Sequence, residues 1–162
     1  MKYHKLNYLR KDDFELLPFH NQGQTFNRLG YTFDQVNVYP EFGARAKHYN
    51  YYGMRDINYY RVATPTTELM YRSGLEQGQV LDALFTANTS KRLNFSIAYK
   101  GLRSLGKYRT TLSSHGNMRL TTNYQTANNA YHLRAHIVAQ DLTNDENGGL
   151  TCLLYTSDAA DD

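Results

Sequence analysis

From Arg92 to Lys100 the chain alternates without a break: Leu93, Phe95, Ile97 and Tyr99 in one set of positions, Arg92, Asn94, Ser96, Ala98 and Lys100 in the other. Side chains on a β-strand point to opposite faces with a period of two, so this stretch is predicted to be a strand with one oily and one wet face. The pattern returns in Met118, Leu120, Thr122 and Tyr124 set against Arg119, Thr121, Asn123 and Gln125. It returns again in Tyr131, Leu133, Ala135, Ile137 and Ala139 set against His132, Arg134, His136, Val138 and Gln140. Two all-β architectures accept several such strands: a soluble sandwich whose apolar faces meet, or a transmembrane barrel whose apolar face looks outward onto lipid.

The connections separate the two. Ile57 to Ala63 is a candidate extended piece that Pro65 interrupts, and Thr66 to Arg72 is another. Gly74-Leu75-Glu76-Gln77-Gly78 makes a turn into Gln79 to Ala87, and Asn88-Thr89-Ser90-Lys91 turns tightly into the strand from Arg92. A long polar connection from Gly101 to Gly116 precedes Asn117 to Gln125. Thr126-Ala127-Asn128-Asn129 then turns tightly into Ala130 to Gln140, and Asp141 to Gly149 begins another polar connection. Strands of roughly 9–11 residues suffice to cross a bilayer at a tilt, and membrane barrels pair short turns on one side with long loops on the other. The predicted strands and connections follow that plan. Ala130, Leu133 and Ile137 also share a helical stripe, but the tight turn before them makes a hairpin the better reading. A slip of one residue in this last strand would aim Arg134, His132 and His136 at lipid, at about 2–4 kcal/mol for an Arg in mid-bilayer.

Three parts are expected along the chain: an irregular N-terminal part over residues 1–56, strands over 57–151, and a tail over 152–162. Cys152 to Asp162 resembles a translated sequencing adapter and is set aside from fold reasoning. Without Asp158, Asp161 and Asp162 the acids fall from 15 to 12 against 18 Lys and Arg, which moves the formal charge from +3 to +6. Cys152 is the one cysteine, so the remainder has no disulfide, thiol nucleophile or Cys-based metal site. Met1 to Lys11 lacks the apolar core of a signal peptide, so an exported protein would need more chain upstream, and further strands downstream to close a barrel. These strands by themselves are expected to form an open antiparallel meander.

No run approaches the ~18 apolar residues of a membrane helix, which leaves a barrel untouched because alternation halves its apparent hydrophobicity. Aromatic residues are 15 Tyr, 7 Phe and no Trp. Tyrosine, with an apolar ring and a wet hydroxyl, suits a membrane–water border, and Tyr71, Tyr99, Tyr124 and Tyr131 are the candidate aromatic girdle. Arg92, Arg119 and Arg134 fall on the predicted lumen face, where rings of cations favour anions. Asp82 falls on the same face and opposes them.

No constellation for catalysis emerges. His132 and His136 mimic a helical i, i+4 metal pair but lack the adjoining Glu and a third ligand. Asp12, Asp13 and Glu15 read as a solvated acidic run. No phosphate loop, nucleophile elbow or CxxC is present. Arg103, Lys107, Tyr108 and Arg109 have the texture of a nucleic-acid patch, yet fit an external loop as well. Neither an enzyme nor a cofactor is expected.

Asn27-Arg28-Leu29-Gly30-Tyr31, Ala46-Lys47-His48-Tyr49-Asn50-Tyr51, Tyr59 through Leu69, Gln77-Gly78-Gln79, Leu84 through Asn88, Asn94 through Tyr108, and Glu146-Asn147-Gly148-Gly149 are longer stretches, and in them the chain resembles the putative porin family of Bacteroidetes-type Gram-negative bacteria. The resemblance implies a Gram-negative outer-membrane β-barrel channel, with outer-membrane lipid and small solutes as partners, no nucleic acid, and a homo-oligomer as a compatible state. It supplies no catalytic or ligand-binding residue. The competing readings are the barrel of an active outer-membrane transporter and a soluble β-sandwich that binds carbohydrate or protein. Solute, gating, strand number and pore width are not fixed by the sequence.

Overall fold

The computed structural model describes residues 9–10, 16–18, 21–30, 49–74, 77–108 and 110–145. They form an all-β structure. Leu16–Pro18 (β1) pairs antiparallel with Phe26–Arg28 (β2). Thr66–Ser73 (β3), Gln79–Ser90 (β4), Leu93–Ser104 (β5), Ser113–Gln125 (β6) and His132–Asn144 (β7) make a five-stranded antiparallel meander in the order β3-β4-β5-β6-β7. Among the described residues β3 pairs with β4 alone and β7 with β6 alone, so the sheet is open, as the sequence led one to expect. The N-terminal part is less irregular than its composition suggested, since it contributes the β1–β2 pair and a 3-10 turn, Met54–Asp56. The tail over 152–162 lies outside the described residues.

The strands are longer than the apolar pattern alone marked. β5 continues through Ser104 and β6 begins at Ser113, so the polar connection expected over Gly101 to Gly116 shrinks to 105–112. β7 likewise absorbs Asp141–Asn144, and the turn after β4 contracts to Lys91 and Arg92, with a bulge between Asn88 and Ser90. The reason is that ladder hydrogen bonds need only backbone, so a strand runs on past the point where its side chains stop alternating in polarity. The connections at 74–78 and 105–112 share one end of the sheet, the loop end. Those at 91–92 and 126–131 share the other, the turn end. In the turn-end hairpin Asn129 takes a positive φ of 57° and donates to the Thr126 carbonyl, a conformation that asparagine tolerates better than most residues. The segment around Ile137 is strand, and the helical stripe through it is coincidental.

Register sorts side chains into rows. On one face Phe85, Ile97, Leu120 and Ile137 lie side by side, flanked by a row of Phe95 and Thr122 and a row of Leu69, Tyr99 and Met118. At the loop end this face turns polar, in a row of Ser73, Gln79, Arg103, Ser114 and Thr143. The opposite face carries Thr86, Ser96, Thr121 and His136 in one row and Asp82, Lys100, Asn117 and Gln140 in another.

Burial runs opposite to the rule for a soluble domain. Leu69 and Ile137 are 71% and 69% exposed, whereas Lys100 and Asn117 on the polar face are 1% exposed. The buried apolar cluster of Leu9, Phe26, Val80 and Leu102, joined by Leu16, Tyr49 and Met70, is small and lies on the polar face near the loop end. What covers the polar face is the N-terminal part of the chain.

Candidate functional site

The polar face and the segment laid across it form the candidate site. Residues 50–62 descend that face from the loop end to the turn end, and side-chain contacts mark the route. Asn50 Nδ2 lies 3.5 Å from His115 Nδ1 on β6. Two residues later Gln140 on β7 accepts from the Tyr52 N–H at 2.8 Å and donates to the Tyr52 carbonyl at 2.9 Å. Tyr59 Oη is 2.6 Å from His136 Nδ1, Asn123 donates to the Tyr60 carbonyl at 3.2 Å, and Arg61 donates to Gln125 at 3.1 Å. Asn88 on β4 then accepts from the Val62 N–H at 3.5 Å and donates to its carbonyl at 2.6 Å. Since His115 and Gln125 are ten residues apart on β6, the segment covers about 34 Å of strand.

Ile57 to Ala63, expected as an extended piece, is therefore not a strand. The wall's own N–H and C=O groups are engaged in the β-ladders, so only side chains remain to hold a segment lying flat on its face. Amides do this well, because one Asn or Gln presents both a donor and an acceptor and can satisfy both backbone groups of one residue. The two that do so are themselves oriented by neighbours: Asn94 donates to Asn88 at 2.7 Å, and Asn117 donates to Gln140 at 2.8 Å.

An earlier segment docks nearer the loop end. Asn21 donates to the Thr111 carbonyl at 2.7 Å and accepts from Ser104 Oγ at 2.5 Å, while Asn144 donates to the Gly23 carbonyl at 3.1 Å. Gly23 has a φ of +89°, and a Cβ there would overlap Leu102 Cδ2 and fall 2.9 Å from Ser113 Cβ, so only glycine lets the chain lie this close. Leu9 places its carbonyl 3.2 Å from Lys100 Nζ. Arg10 forks onto Glu68 Oε1 at 2.5 Å and Asp82 Oδ2 at 2.9 Å. Burial on its own would lower the Arg10 pKa, but the hydrogen bonds and charges of Glu68 and Asp82 outweigh it and the net shift is upward.

Of the three arginines predicted on the polar face, Arg119 stacks over the Tyr52 ring at 4.2 Å and Arg134 lies over the Tyr59 ring at 5.7 Å. Arg92 stands apart at the turn end, where with Arg61 and Lys91 it lines a shallow surface depression. Asp82 shares the polar face, in the fork of Arg10. Burial pushes the Tyr52 and Tyr60 phenols above the usual tyrosine value, and the charge of Arg119 only partly reverses this. His132 and His136 are four residues apart on a strand, about 13 Å along it, a span no single metal ion bridges. Arg103 and Tyr108 are exposed at the loop end, and Arg109 lies outside the described residues.

The four tyrosines fall at the two borders of the apolar face. Tyr71 and Tyr99 occupy neighbouring rows near the loop end, and the Tyr99 ring leans over Gly101, where a Cβ would meet its ring edge and hydroxyl at 2.9 Å. Tyr124 and Tyr131 lie at the turn end. Of the amides that hold the segment, Asn123 and Gln140 were read in the sequence only as wet positions and Asn88 only as part of a tight turn; the density of amides on one face was the available signal.

The sequence model of a family described as putative porin matches residues 1–161. Comparison with curated proteins and with solved structures returns no match.

Proposed function

The chain belongs to the putative porin family, and from that premise we propose that it is part of the wall of an outer-membrane β-barrel channel through which small solutes diffuse passively. The observation that carries this reading is the inverted burial of the meander. Its apolar face is left exposed, as a lipid-facing wall requires, and its polar face is turned toward the rest of the chain. A sandwich-type binding module would bring apolar faces together, and among the described residues nothing packs on this one. Strand edges at β3 and β7 leave backbone groups that further strands would satisfy in lipid. Tyr71, Tyr99, Tyr124 and Tyr131 would sit at the two headgroup levels.

The path itself would favour anions weakly. Glu68 and Asp82 are both in the fork of Arg10, so Arg119 and Arg134 leave the polar face with an excess of positive charge. The test uses the full-length protein that carries this chain, purified and reconstituted in liposomes and planar bilayers. Size-limited swelling with uncharged sugars, without an energy source, and a reversal potential of anionic sign in asymmetric salt are the expected results. Impermeable liposomes, or transport that needs an energised partner, would overturn the channel reading, and cation preference would overturn the selectivity.

A further inference from the structure

Residues 50–62 lie where solute would have to pass, and the way they are held differs from the way the wall is held. We propose that this segment is an internal strap that narrows the channel and is released by letting go of two amide latches, Gln140 on Tyr52 and Asn88 on Val62. The proposal rests on the channel reading above.

Three observations carry it. First, attachment is through side chains alone among the contacts described: Gln140 and Asn88 each close a two-point hydrogen bond on a single strap residue, near the two ends of the strap. Between them come Tyr59 with His136, Tyr60 with Asn123, and the stacking of Arg119 and Arg134 on Tyr52 and Tyr59. Such contacts can exchange with water or with a polar solute without breaking any strand pairing. Second, the contiguous apolar cluster of Leu9, Phe26, Val80 and Leu102 lies away from most of the strap's course, and the strap itself buries only Tyr52 and Ile57 among its large apolar side chains. Third, the docked state leaves buried polar atoms without a protein partner, Asn50 Oδ1, Asn117 Oδ1 and Arg119 Nε. Each is better satisfied when the interface opens to solvent, which narrows the gap between closed and open states.

The decisive variant is the double change Asn88→Asp and Gln140→Glu in the full-length protein. A carboxylate keeps the acceptor that Asn94 and Asn117 use, so the wall keeps its internal bonds, but it cannot donate to the Val62 and Tyr52 carbonyls. Amide exchange over residues 50–62 should accelerate by roughly tenfold or more while β5 and β6 stay protected. Unitary conductance in planar bilayers, or the fraction of time open, should rise with it. The double alanine variant removes both halves of each latch and should go at least as far; heat-modified gel migration reports that each barrel is folded. If the variants fold and conduct like the wild type, with unchanged exchange in the strap, the latches are not a gate. If neither wild type nor variants conduct at all, the channel reading itself fails and takes the strap with it.

Discussion

Replacing Ile97 by Arg tests which face of the sheet meets lipid. Ile97 belongs to the row of Phe85, Leu120 and Ile137, the middle of the apolar band. The band runs from the row of Leu93, Tyr124 and Leu133 at the turn end to the row of Tyr71, Leu81 and Gly101 near the loop end. Leu93 to Gly101 is eight residues, about 27 Å of strand, which fits an apolar belt ~25 Å tall once tilt is allowed for. A cation at the midplane of such a belt costs about 2–4 kcal/mol, falling to ~0–1 kcal/mol at the borders. In the folding equilibrium that is roughly 30- to 700-fold for Ile97→Arg. Leu93→Arg, four residues toward the turn end, should cost little, and Arg103 already occupies the same face beyond the opposite border. The assay is denaturant-driven unfolding of the full-length protein in lipid vesicles, followed by tyrosine fluorescence and gel migration, for Arg placed at 93, 95 and 97. A cost that climbs from the border to Ile97 supports the lipid assignment. A flat profile, or a soluble and monomeric wild type that unfolds reversibly without lipid, would refute the reasoning.

Two further outcomes concern the chain laid on the polar face. Gly23→Ala imposes a Cβ on Leu102 and Ser113 and a side chain on a positive-φ backbone, a strain of roughly 1–3 kcal/mol; hydrogen exchange should show residues 21–24 loosened while β5 and β6 keep their protection, and unchanged exchange there would contradict the close approach. Burial raises the phenol pKa values of Tyr52 and Tyr60, so their contribution to docking is complete below the ordinary tyrosine value of about 10 and is lost as pH rises through the higher folded values. Protection of residues 50–62 should therefore persist to about pH 10 and fall above it, less steeply in a Tyr52→Phe, Tyr60→Phe protein. Tyrosinate absorbance from both residues at the ordinary value would contradict this.

Much of the sheet was legible because period-two alternation is a local signal that needs no partner to be read: Leu93 to Tyr99 and Tyr131 to Ala139 announce their two faces residue by residue. Strand ends were less so. Gly101 to Ser104 and Ser113 to Gly116 carry turn-like residues, and only the facing backbone of the neighbouring strand draws them into the ladder. The candidate site was hidden almost entirely. Gln140 and Tyr52 are 88 positions apart, and Asn21 and Thr111 are 90; no spacing rule connects an amide on a wet face with the backbone of a segment that shows little alternation of its own.

The sequence alone determined that the chain makes antiparallel strands with an oily side and a wet side, because side-chain direction on a strand follows from covalent geometry. Tertiary structure decided which side is covered. The N-terminal part lies on the polar face, held by amides, an arginine fork and a glycine close to Leu102, and the oily side is left bare. That choice depends on free energies summed over contacts scores of residues apart, which no local pattern in the chain encodes.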